Sequence, residues 1–424
     1  DESRMSLRGE SIDVVVRFGR HTLEEDVLWA VRRRGLPPLP TPPRSRSEQW
    51  ELCRRCLTEG PIHNENGWGH CVEDRWPRNF FADIATAVWR LTGEVPELPR
   101  LVGGGSHIRD EAIYFVSGRA EEWLAMRRNR VRALIRAQQP DGSYRYDGKY
   151  ARGHFENTAS GVCARPAYEL LHFAYLTGDA EARGAGLRTL EYMKRFRTPR
   201  GAQVWEIPLH TPDILASGYL VLAYVRGYQL TGDQTYLAEA RRWALSGVPF
   251  VYQWGRYPIM TYATIPVLGA TNWRAPNWIG LPVQWCGLVY AYGLAELAPL
   301  DDTLDWHTLA EGILIAGEQM QVPPEEGELA GLLPDSFTLD VQRRNPAMIN
   351  PAGLVALRLK LEGRSVDVNA VAWKGHRIAG PFPLVIDGDR VVSRGQPGVE
   401  YQVVVDGKRV VSIQSTGNDV IPIE

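Results

Sequence analysis

The feature that most constrains this chain is a short signature that returns at the ends of helical segments. "WRLTGE" ends at Glu94, "AYLTGD" at Asp179 and "YQLTGD" at Asp233. Each places Gly where a helix C-cap takes up a left-handed conformation and an acid where the next helix begins with a positive dipole end. Gly178 and Gly232 are 54 residues apart, the length of one helical hairpin with a long loop. At the far end of the hairpins, "ALIRAQQPDGSYRY" and "YMKRFRTPRGAQVWEI" share a basic amphipathic helix, a Pro- and Gly-bearing turn and an aromatic extended segment. A repeated helix pair cannot bury its apolar face alone, so such units stack as an open solenoid or a closed ring.

The 3.6-residue periodicity runs from about residue 21 to about 320. After about Pro334 the text alternates apolar and polar residues in "GLVALRLKLEG", "SVDVNAVAW", "PLVIDG" and "VEYQVVVDGKRVVSIQ", with Asp406-Gly407 between two β-branched runs as a hairpin turn. This predicts a strand or linker over 1–20, with "SIDVVVRFG" strand-like, a helical body over 21–335, and a small antiparallel, sandwich-like β domain over 336–424. With 424 residues the chain can bury a substantial core.

Charge and hydropathy exclude some functions. Against 50 acidic side chains stand 48 basic ones, so no general basic surface exists to release counterions from a nucleic acid. The longest charge-free stretch, between Arg274 and Glu296, is broken by Pro276, Asn277, Pro282 and Gln284 and does not make a membrane span. The five cysteines, Cys53, Cys56, Cys71, Cys163 and Cys286, exclude a dense disulfide framework. Cys53, Cys56, His70 and Cys71 carry donors suited to zinc or to one disulfide but lack a second pair of ligands. The amphipathic "EQWELCRRCLTEG" instead predicts Cys53 and Cys56 buried on one helix face, with no metal. "GGGSH" at 103–107 lacks a preceding strand and a GK[ST] ending, so it reads as a flexible loop and no nucleotide cofactor is expected.

Hairpins of this length, the repeated "LTGD" turn, the "QQPDGSYRY" loop and a trailing β module together resemble the six-hairpin, or (α/α)6-toroid, carbohydrate-active enzymes over residues 21–335. The resemblance implies a mainly α fold, a helical toroid with a small C-terminal antiparallel β domain, and a cleft where the long loops meet. Both glycoside hydrolases and polysaccharide lyases use that architecture. The implied partner is an oligo- or polysaccharide. A secreted or periplasmic setting is expected, with a cytoplasmic one as the alternative, and the sequence leaves the oligomeric state open.

Four segments should converge at the cleft: 61–83, 141–161, 204–218 and 252–285. They are long, polar and aromatic, as functional loops are. Seven of the 14 tryptophans fall there: Trp68, Trp76, Trp205, Trp254, Trp273, Trp278 and Trp285. Such flat apolar faces suit sugar rings. Glycoside hydrolysis needs one protonated and one ionised carboxyl group. Glu206, beside Trp205, and Glu156, between His154 and Asn157, are the first candidates, with Asp335 reaching in from the junction with the β domain. His154, His210 and Tyr262 complete the candidate catalytic set. Trp68, Asp74, Asn157, Trp205, Tyr257, Asn272, Trp273, Arg274, Trp278 and Trp285 form the candidate substrate-binding set.

Structural roles compete with each assignment: Asp213 and Asp83 as helix caps, and Glu156 and Glu206 as partners of the abundant arginines. Glu65 joins Asp74 as a possible contact to sugar hydroxyls. A lyase would instead use a Tyr or His base and an Asn, His or Arg to neutralise a uronate, and His154, Asn157, His210, Tyr257, Tyr262, Asn272 and Arg274 supply those groups. A non-catalytic glycan-binding toroid is the third reading, and titratable groups beside the tryptophans weigh against it. The hydrolase is preferred because carboxylates occur in several of the converging loops.

Overall fold

A computed structural model describes residues 15–73, 76–148, 157–205, 207–252, 261–268, 280–339 and 341–423. Its helices are α1 (Leu23–Arg34), α2 (Arg46–Thr58), α3 (Ala82–Thr92), the single turn α4 (Ile113–Val116), α5 (Ala120–Ala137), α6 (Ser160–Thr177), α7 (Ala180–Met193), α8 (Ile214–Thr231), α9 (Gln234–Gly247), α10 (Gln284–Leu297), α11 (Trp306–Met320) and α12 (Ala352–Leu361). The repeated signature acts as its chemistry demands. Gly93, Gly178 and Gly232 end α3, α6 and α8 in the left-handed region at φ of 78°, 77° and 73°, each N–H bonding the carbonyl four residues back. Asp179 and Asp233 then cap α7 and α9 through their side chains. No helix follows Gly93 directly, so Glu94 caps nothing.

Three antiparallel hairpins result, α6/α7, α8/α9 and α10/α11. Their first members are apolar nearly all round: every residue of α10 is buried, as a helix enclosed by others must be. Gly218 lets α8 and α10 approach so closely that a Cβ there would stand 3.0 Å from the Tyr290 backbone. The ring closes by contact, with α6 on α8, α8 on α10, α10 on α12, α12 on α3, and α3 back to α6 through α4 and α5. The second members α7, α9 and α11 form an outer layer, and α2 packs behind α3 and α12.

The strands are β1 (His63–Asn64) and β2 (Gly67–Trp68), β3 (Leu333–Thr338) and β4 (Arg343–Ile349), then β5 (Asn369–Trp373), β6 (His376–Gly380), β7 (Leu384–Asp387), β8 (Arg390–Ser393), β9 (Glu400–Val405), β10 (Arg409–Gln414) and β11 (Asp419–Val420). The last seven form two antiparallel sheets in the orders β10-β9-β6-β5 and β11-β8-β7. They cover the C-terminal end of α6: Arg128 donates to the Gly407 carbonyl, and Gly407 lies against Thr177.

Two expectations need correction. The helical body does not end at 335, because "GLVALRLKLEG" contains helix α12, which completes the ring between α10 and α3. Leu354, Val355, Ala356, Leu357 and Leu359 are all buried, which erases the helical period and leaves a short apolar run that reads as a strand. "SIDVVVRFG" forms no strand over 15–19, its first residues lying outside the described ones.

Candidate active site in the ring mouth

The N-terminal ends of α6, α8 and α10 point to the side opposite the β module, and the long loops meet there. Gly161 at the start of α6 lies so close to the loop before α8 that a Cβ would come within 2.5 Å of the Ala202 nitrogen, and its N–H bonds the Arg200 carbonyl. Asp213 caps α8, accepting from Ala216 N at 2.7 Å and from Ala202 N at 3.1 Å. Burial raises its carboxyl to about 7 against the pull of those N–H groups.

Between these loops opens a cavity of about 670 Å³. One wall is aromatic. Trp205, 51% exposed, lies nearly parallel to Trp285 at 6.3 Å between ring centres, and Trp285 stacks on His107 at 4.0 Å. His107 meets His70 edge-on, and His70 meets the exposed Trp76 in the same way. The Trp285 indole N–H donates to Asp335 Oδ1 at 3.1 Å.

The other wall is charged. Arg127 Nε donates to Glu111 at 2.7 Å, and the Trp123 indole N–H reaches the same carboxylate oxygen at 2.8 Å. Arg130 donates to Glu169 at 2.6 Å, and Arg165 lies 3.4 Å from it. Burial opposes ionisation of Glu169, but Arg130, Arg165 and Arg127 outweigh it and hold the carboxyl below its ordinary value. At the floor, His172 Nε2 stands 2.8 Å from Asp367 Oδ2, while Asp367 Oδ1 accepts the Glu111 N–H. Burial would raise the Asp367 carboxyl; His172, Arg127 and that N–H prevail and bring it to about 2. Burial in turn lowers His172 and, far more strongly, His107, so both imidazoles stay neutral. Asp367 holds a left-handed φ of 63°, unusual for a residue with a side chain.

Behind the wall, Asp83 is fully buried and pushed well above the ordinary carboxylate range, with one oxygen bonded to Ser106 N and the other without a partner. Asp83 is not the N-cap of α3; Phe81 holds that position, and Asp83 lies within the first turn.

Of the residues singled out in the sequence, Trp205 lines the cavity and Trp285 stacks behind it, with Asp335 as the hydrogen-bond partner of Trp285. Trp68 and Tyr262 do not join them. Trp68 is core, its N–H on the Leu57 carbonyl; Tyr262 is fully buried, with its hydroxyl on the Pro37 carbonyl at 2.6 Å and its ring against Gly312. Asn157 is exposed and accepts from Arg145, and His210 is half-buried and does not line the cavity. Asp74, His154, Glu156, Glu206, Tyr257, Asn272, Trp273, Arg274 and Trp278 lie outside the described residues.

The charged wall escaped the sequence reading, although a signal existed: Arg165, Glu169 and His172 recur at helical spacing along α6, a polar stripe on an otherwise apolar helix. The five cysteines are buried thiols, and burial raises Cys53 to about 11. No group of three metal-ligating side chains occurs among the described residues, and no described helix is long and apolar enough to cross a membrane.

No family model and no curated protein matches the sequence. Solved structures do match in shape. The unsaturated glucuronyl hydrolase of Bacillus sp. GL1 aligns over 80% of this chain and 95% of its own, at 13% identity and a TM-score of 0.43. A GH76 α-mannanase of Bacteroides thetaiotaomicron aligns over 80% and 82%, at 10% identity and 0.39. The cellobiose 2-epimerase of Bacillus thermoamylovorans aligns over 57% and 68%, at 11% identity and 0.42. These proteins are (α/α)6-toroid carbohydrate-active enzymes, and it is in fold that this chain resembles them.

Proposed function

We propose that the chain is a glycoside hydrolase acting on an oligo- or polysaccharide in the ring mouth. The observation that carries the reading is the cavity itself, whose lining combines an exposed tryptophan with carboxylates around a space large enough for sugar rings. In the reaction, a protonated carboxyl group gives its proton to the glycosidic oxygen while an ionised one supports the positive charge growing on the sugar or activates water. The two stand about 5–5.5 Å apart for retention of configuration and about 6.5–9.5 Å for inversion. Glu206, next to Trp205 in sequence, is assigned the acid, and Glu156 the base; both assignments rest on the sequence. Glu169, held ionised in the wall, adds negative charge beside the reacting sugar. Asp335 acts as a positioning residue through its bond to Trp285.

A lyase reading has less in its favour: His107 lines the cavity and makes no hydrogen bond to any described residue, but burial weakens it as a base. One assay separates these readings. The protein is incubated with a panel of neutral and uronic-acid polysaccharides, while new reducing ends and the ultraviolet absorbance of a new double bond are both recorded. Reducing ends without that absorbance are expected. Both signals together would assign β-elimination, and neither across the panel would leave a binding protein.

A further inference from the structure

Two tryptophans are exposed among the described residues, Trp205 at 51% and Trp76 at 47%. Trp205 lines the cavity, whereas Trp76 lies beyond its lining. One run of rings joins them: Trp205, Trp285, His107, His70 and Trp76 follow one another with centres 6.3, 4.0, 4.8 and 5.8 Å apart. A lone aromatic on a surface needs no explanation, but Trp76 is built in. The His70 ring against it is fixed, since Nδ1 donates to the Gly105 carbonyl at 3.1 Å and Asn350 donates to that carbonyl and to the His70 carbonyl at 2.7 and 2.9 Å. The Trp76 N–H bonds the Glu73 carbonyl at 3.2 Å, and two residues on, Arg78 donates to the Ile62 and Pro61 carbonyls at 2.6 and 2.8 Å.

Trp76 also stands at a concavity of its own, about 410 Å³, whose lining adds Asn66, Glu73, Arg78 and Arg100. A flat aromatic face beside side chains that donate and accept hydrogen bonds suits a sugar ring, the face taking its C–H groups and the polar groups its hydroxyls. We propose that Trp76 is a second sugar platform, so that the substrate is an oligosaccharide laid along the mouth from Trp205 to Trp76 and not a short sugar held at Trp205 alone. The proposal rests on the carbohydrate reading above and specifies the length of chain bound. Three rings separate the two tryptophans, so they engage different units of one chain. Because Trp76 is already held in place, stacking on it costs little ordering of the side chain.

The test is a rapid-mixing fluorescence titration of the full chain, which reads binding before turnover, with cello-, xylo- and galacturono-oligosaccharides of two to six units. In the series that binds, affinity should rise about five- to tenfold from the shortest to the longest member, the worth of one added aromatic contact. Trp76→Ala should bring that ratio close to one, and Trp76→Phe should keep part of it because a smaller ring remains. Equal affinity for all lengths in the unmodified protein would overturn the proposal even if the variants failed to fold. So would a Trp76→Ala protein that kept the ratio. Affinity lost with Trp205→Ala but independent of length would sink the second platform and leave the mouth as the saccharide site. A length ratio that depends on Trp76 without cleavage of any glycan would refute the hydrolase and leave this assignment standing. Binding in no series would overturn both.

Discussion

The two ends of the helical ring are built from the same helices under different rules. At the end covered by the β module, α6 and α8 stop at a left-handed glycine and α7 and α9 start at an aspartate within one residue. At the mouth the connections are long, and their contacts join residues far apart in sequence, such as Trp285 with His107 and His172 with Asp367. The closed end is a matter of local backbone chemistry. The mouth is a matter of what the closed ring brings together. It follows that damage at the closed end should lower stability and spare binding, whereas loss of a solvent-facing group at the mouth should lower binding or cleavage and spare stability; the buried His172–Asp367 pair beneath the mouth serves the fold as well.

The largest effect should come from the mouth. Glu206→Gln is expected to lower the cleavage rate by about 10²–10⁴-fold, the loss that follows removal of a general acid. Its melting temperature should stay within about 2 °C of the parent, corresponding to a stability change of about 0.5 kcal/mol or less. Calorimetry and a reducing-end assay on one preparation check both halves.

Next comes Asp367, which ties the linker before the β module to the cavity floor. Its carboxyl titrates at about 2 in the folded protein, below the ordinary carboxylate value, so it stabilises the fold above about pH 4. That contribution, on the order of 2 kcal/mol, should be lost as the pH falls from about 4 to about 2. Denaturant titrations across that window should show a shallower pH dependence for Asp367→Asn than for the parent.

Changes at the closed end should be smaller and silent in binding. Gly178→Ala puts a side chain into a left-handed cap and should cost about 1–2 kcal/mol. Asp179→Ala removes the bond to the Ala182 N–H and should cost about 1 kcal/mol. Urea denaturation measures both, and a weakened saccharide affinity in either variant would blur the division between the two ends.

The same division governs what was legible in the sequence. Caps and turns obey rules acting over four or five residues, so the hairpin ends around Gly178 and Gly232 could be read directly. Helix α12 could not, because a short segment buried on most sides loses its period. Trp68 and Trp205 look alike as loop tryptophans, yet one donates into the core and the other stands half in solvent. Only the three-dimensional neighbours decide between them. The wall formed by Arg109, Glu111, Glu169, His172 and Asp367 draws on three separate stretches of chain and exists only once the ring has closed.

The central claim, that the mouth is where this protein acts on a saccharide, is tested most directly by a crystal structure of Glu206→Gln soaked with an oligosaccharide that the parent protein cleaves. Density for a sugar ring on Trp205 is expected. Density at the β-module end, or a cavity that stays filled with water while sugar binds elsewhere, would contradict it.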